Sequence, residues 1–86
     1  MNATDALHDC QRMAVALWGK NAIAYVLTET HMPGFCTAAV FNGDEELIDG
    51  VIVPRAVRRE YTCSAAIQGL WNDLKVEMRR AREVKP

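Results

Sequence analysis

The side chains best equipped for chemistry are Cys36, His31 and Asp49, which would supply a nucleophile, a base and an orienting carboxylate across a turn. No motif ties them together, and residue types this common carry little information on their own, so the sequence predicts no catalytic constellation and no enzyme. Metal chemistry has no better footing. His8 and Cys10 stand too close for ordinary zinc spacing, His31 is alone, and there is no Cys-x-x-Cys pair. Asp44, Glu45, Glu46 and Asp49 offer oxygen ligands without the spacing of a calcium loop. Glycine-rich phosphate loops and nucleophile elbows are absent too. No metal, cofactor or small-molecule substrate is expected.

What the chain does carry is charge sorted by position. Through Pro54, Arg12 and Lys20 stand against Asp5, Asp9, Glu29, Asp44, Glu45, Glu46 and Asp49, a net of −5. From Arg55 onward eight basic residues stand against four acidic ones, a net of +4, so the whole chain comes to only −1. Regions of opposite sign steer and orient encounters with large bodies, which favours a macromolecular partner. Asp44, Glu45, Glu46 and Asp49 are therefore candidates for an acidic hairpin that meets a protein partner. Arg55, Arg58, Arg59, Arg79, Arg80 and Arg82 are candidates for contact with nucleic acid or with an acidic partner. The last three also complement the negative end of a helix.

These residues need elements to position them. Ala6, Leu7, Cys10, Met13, Ala14 and Leu17 recur at three- and four-residue steps, which predicts a first helix capped by Asn2 or Thr4 and closed by Gly19. From Ala22 the period turns extended. Runs at Ala22–Thr30, Phe35–Phe41 and Glu46–Val53, rich in β-branched and aromatic residues, predict three antiparallel strands in a meander. A four-residue turn over Asn42 to Glu45 sets Val40 opposite Leu47, and a two-residue Asn-Gly turn shifts that register. After a basic connector, Thr62 or Ser64 caps a long helix over 62–83 with a stripe of Ala66, Ile67, Leu70, Trp71, Leu74, Met78 and Ala81. About 20 residues at ~1.5 Å each outrun a small sheet, so its basic end should project. Gly69 within it predicts a close approach to a neighbour. An alternative layout makes Ala56 to Tyr61 a fourth strand through the alternation of Val57, Arg59 and Tyr61, with the helix starting later.

Half of the 86 residues are apolar and a quarter charged. That predicts one domain over 1–86 of the α+β class, a helix, a three-stranded antiparallel β-meander and a long C-terminal helix, with both helices on one face of the sheet. No apolar run approaches the roughly 18 to 20 residues that span a bilayer, so a soluble cytoplasmic protein is expected. Cys10, Cys36 and Cys63 are odd in number and widely spaced, which predicts reduced thiols. Both strand faces read as largely apolar, Ile23, Tyr25 and Leu27 with Phe35, Ala39 and Phe41 on one, and Ala24, Val26, Cys36, Ala38 and Val40 on the other. The second set is expected to be covered by a partner or by another copy in a homodimer.

The predicted order helix, three strands, helix resembles the double-stranded-RNA-binding domain over residues 4 to 74. Tyr25 in the first strand, Glu29 before Pro33-Gly34, and Ser64-Ala65-Ala66 followed by Leu70 carry the likeness. The resemblance implies a basic pair gripping phosphates near the start of the last helix, where Arg58 and Arg59 fall. The acidic first half lacks the matching positive potential, which leaves nucleic-acid binding as the alternative reading. In size and style the chain also resembles small accessory proteins of phages and mobile elements, anti-CRISPR proteins among them. That likeness implies a non-enzymatic module that binds a host protein complex and masks a functional surface.

Overall fold

In the computed structural model, residues 2–28, 34–42 and 54–83 are described. They form α1 (Ala3–Trp18), β1 (Ala22–Thr28), β2 (Cys36–Asn42), β3 (Ala56–Glu60) and α2 (Cys63–Glu83). The strands make one antiparallel sheet in the order β1-β2-β3. This is the expected α+β architecture, a meander between two helices.

Local chemistry sets the helix ends. The Asn2 side chain accepts from the Asp5 amide at 2.8 Å, and Thr62 Oγ1 accepts from the Ala65 amide at 3.1 Å, so each helix begins on a side-chain cap. Gly19 ends α1 at φ +104° and ψ 172°, a region that costs little without a Cβ, while its amide still donates to the Val15 carbonyl.

The third strand differs from the first expectation. The strand beside β2 is Ala56–Glu60, so Val40 faces Ala56 and not Leu47. β2 has two edges; β1 occupies one, and β3, led in by the Arg55 amide donating to the Val40 carbonyl at 2.8 Å, occupies the other. Glu46–Val53 lies outside the described residues.

Strand alternation assigns the two faces of the sheet, and here the sequence reading is corrected. Ala24, Val26, Cys36, Ala38 and Val40, expected to await a second chain, point into the helix layer and pack with the core of the same chain. The helices cover the face built of small residues because only short side chains let helix backbones approach a sheet closely. Gly69 extends the same logic to α2. A Cβ placed there would stand 2.7 Å from Arg58 Cγ, so the glycine makes room for the Arg58 stem beneath the helix.

The core is narrow. Leu70, Leu74, Val40 and Cys10 are its largest fully buried side chains, surrounded by Ala6, Ala14, Ala38 and Ala66. The two helices are tied across it, with Trp71 Nε1 donating to Asp9 Oδ2 at 2.9 Å, Arg12 pairing with the same carboxylate, and Lys75 Nζ 4.3 Å above the Trp71 ring.

Cysteine chemistry is also corrected. Cys36 and Cys63 form a disulfide, with Cα atoms 5.0 Å apart and a sequence separation of 27. Sequence distance hid the pairing because the partners come together only after β3 has returned the chain alongside β2, which sets Cys36 opposite Glu60, three residues before α2 starts at Cys63. Cys10 stays a free, buried thiol, as expected. Burial pushes it up to about 11 from 9.0, outweighing a backbone hydrogen bond that acts in the opposite direction. The folded state therefore holds this proton while the unfolded chain releases it from about pH 9. Stability present below pH 9 should fall by about 2 to 3 kcal/mol as pH rises to 11. Urea midpoints across that range should show the fall in the parent and a shallower one in Cys10→Ala.

Candidate docking site

With both helices on one side, the other side of the sheet presents Ile23, Tyr25 and Leu27 from β1, Thr37, Ala39 and Phe41 from β2, and Val57 and Arg59 from β3. Ile23 and Leu27 are each 55% exposed and Val57 is 52% exposed, large apolar side chains that a protein normally withdraws from water. Register explains the relief of the surface. Ala39 lies between Tyr25 and Val57, and Thr37 between Leu27 and Arg59, so the short central residues are buried at 2% and 8% between taller neighbours. Arg59 Nε donates to Thr37 Oγ1 at 3.4 Å, holding the guanidinium stem along this floor.

Aromatic pairs mark two parts of the face. Tyr25 stacks on Phe41 at 5.3 Å between ring centroids with an interplanar angle of 12°. Just beyond the strands, Phe35 and Tyr61 meet at 4.8 Å, and Tyr61 remains 75% exposed. The rings are rigid, and Tyr25 and Tyr61 add a polar tip, the kind of side chain that anchors binding surfaces at low entropic cost.

The structure disperses the basic residues that sequence had grouped. Arg58 and Arg59 are neighbours in a strand and so emerge on opposite faces. Arg58 lies under α2, where it pairs with Glu60 at 3.1 Å and Asp73 at 3.5 Å. Arg80 pairs with Glu77 at 3.1 Å and shares with Arg55 a groove walled by Trp18 and Val76, in which Asp73 and Glu77 balance the charge. Arg79 and Arg82 border a separate depression with Met13, Lys75 and Met78. Residues 79–83 are all exposed. Alternation along β3, the period-2 signal itself, separates the arginine pair that the double-stranded-RNA-binding resemblance had placed together.

The acidic candidates Asp44, Glu45, Glu46 and Asp49, together with His31, lie outside the described residues. Cys36, the nucleophile of the imagined triad, is bound in the disulfide. Among the described residues no group of three His, Cys, Asp or Glu side chains is placed to hold a metal ion. Among them too, no helix is long and apolar enough to cross a membrane. Sequence reasoning did identify Ile23, Tyr25, Leu27 and Phe41 as sharing one face, but it assigned the helices to that face. The signal that would have separated the two is side-chain size, because the helix-covered face holds Ala22, Ala24, Ala38 and Ala56, with Val26, Cys36 and Val40 also smaller than leucine. Comparison with protein-family models, with curated proteins and with solved structures finds no match to this chain.

Proposed function

We propose that this chain is a non-enzymatic protein-binding module that docks through the open face of its sheet. One observation carries the reading: Ile23, Leu27, Val57 and Tyr61 are more than half exposed on the side opposite the helices, next to two aromatic pairs. A contiguous apolar surface on a small domain costs solubility, and a protein partner that presents an apolar surface of its own recovers that cost on binding. The likeness to phage accessory proteins makes a host nucleic-acid-processing or defence complex the partner class, and masking of a functional surface the mode of action. Nucleic-acid binding has less support, because Arg58 and Arg59 emerge on opposite faces and carboxylates engage Arg58 and Arg80.

The test is capture of partners from the source cell by immobilised parent protein and by a Val57→Asp, Tyr61→Ser variant. Both positions are at least half exposed, so the variant should stay folded, with loss of the Phe35–Tyr61 ring contact and the poorer strand propensity of aspartate costing about 1 kcal/mol each. A protein held by the parent should be lost from the variant, with an affinity at least tenfold weaker when the pair is purified. Equal capture by both would refute the sheet face. Capture that disappears on nuclease treatment would favour the nucleic-acid reading instead.

A further inference from the structure

We infer that the outer edge of β1 pairs with the same edge of a second copy, joining two sheets into one of six strands around a two-fold axis at Val26. Among the described residues, β1 and β3 are the edge strands of the sheet. Unpaired edges invite further strands, and proteins commonly guard them with charge or proline. β3 carries Arg58, Arg59 and Glu60 in its five residues, whereas β1, Ala22-Ile23-Ala24-Tyr25-Val26-Leu27-Thr28, has no charge and no proline.

The guard that β1 does have is local. Gln11, reaching down from α1, donates through Nε2 to the Ala22 carbonyl and accepts through Oε1 from the Ala24 amide, both at 2.8 Å. Its side-chain amide imitates a neighbouring strand over one repeat. Those two bonds also show that the main-chain groups of the even-numbered residues point outward, because in an antiparallel strand both groups of one residue face the same way. The Ala24 carbonyl and the main-chain groups of Val26 and Thr28 therefore lie on the open edge.

That remaining stretch is centred on one residue, which makes it self-complementary. With a two-fold at Val26, the two Val26 residues exchange both of their main-chain bonds, and each Ala24 carbonyl accepts from the partner's Thr28 amide. Gln11 keeps its own bonds throughout and prevents a register that slides toward Ala22. On the open face Leu27 of one copy meets Tyr25 of the other, an aliphatic on an aromatic. The uncharged edge raises no like-charge opposition, unlike a β3 pairing that would set arginines against one another. The pairing also doubles the width of the docking face proposed above; it builds on that reading but depends only on the edge. Its contact is smaller than the ~800 Å² per partner of a standard interface, so a micromolar dimer is expected.

Sedimentation of the full chain should show the 9.6 kDa monomer giving way to twice that mass across the micromolar range. Hydrogen exchange at the Val26 and Thr28 amides should slow with concentration, while Ala24, already bonded to Gln11, should not change. Thr28→Pro removes an outward donor without removing a bond inside the sheet, and Leu27→Lys adds an edge charge. Each should weaken the dimer by about tenfold or more while leaving the monomer folded. A parent that stays monomeric at high micromolar concentration would overturn the inference, as would a dimer insensitive to both changes. A dimer abolished by Val57→Asp alone would mean that the faces, not the edges, associate. Partner capture by the Thr28→Pro variant keeps the two proposals apart, since that variant leaves every open-face apolar side chain in place.

Discussion

Leu70→Ala is expected to lower the unfolding free energy by about 3 to 5 kcal/mol, toward the upper end of the range for buried leucine truncations. The reason is the composition of the core. Leu70 and Leu74 are fully buried on α2, with Val40 below them, and most of their other buried neighbours are alanines that have no side-chain length with which to close a gap. A hole left by Leu70 therefore stays open, and the cavity contribution adds to the lost transfer energy. A chain of 86 residues has about 4 to 13 kcal/mol of stability in total, so this one change removes a large share of it. Urea unfolding followed by tryptophan fluorescence would measure the loss through Trp71, which packs against the same cluster. A loss under about 1 kcal/mol would mean that the helices settle onto the sheet once the leucine is gone, and that the small-residue core is more pliable than its packing implies.

How much of this was legible in the sequence follows from which interactions are local. Helix periodicity, the Asn2 and Thr62 caps, Gly19 at the end of α1 and the close approach at Gly69 were all readable, because each depends on residues a few positions apart or on the conformational range of one residue. Strand faces were readable as sets but not as sides. Ile23, Tyr25 and Leu27 share a face by alternation alone, yet whether helices cover that face depends on the depth available beneath α1 and α2, a tertiary quantity. The strand beside β2 was expected at Glu46–Val53 for its richer β-branched composition, whereas Arg58, Arg59 and Glu60 hold that place through pairing with β2 and support from α2. Charge at those positions lowered the local signal without preventing the strand. The Gln11 bonds to β1 left no trace in composition at all, since a glutamine on a helix surface is the most ordinary of residues until the strand it meets is known.

Breaking the Cys36–Cys63 bond should cost about 3.5 kcal/mol, from the chain entropy released when a loop with a separation of 27 is opened in the unfolded state. The bond joins the start of β2 to the start of α2, and so holds the last helix to the central strand at the point where the chain turns out of β3. In a domain with so few large core residues this is comparable to the contribution of a buried leucine. For a chain of this length a loss of that size corresponds to a fall in Tm of about 15 to 25 °C. The expected result is that Cys63→Ser melts that much lower than the oxidised parent, that reductant lowers the parent to the same point, and that reductant leaves the variant unmoved. Cys63 is the better position to change, because Cys36 is buried and its replacement would add a packing penalty. Mass analysis gives an independent reading: alkylation of the native parent should modify no cysteine, since Cys10 is buried and protonated, and alkylation after reduction should reach Cys63 first. A parent whose melting is indifferent to reductant, with both Cys36 and Cys63 alkylated before any reductant is added, would show that the two sulfurs sit side by side as thiols and that the helix layer is held by packing alone.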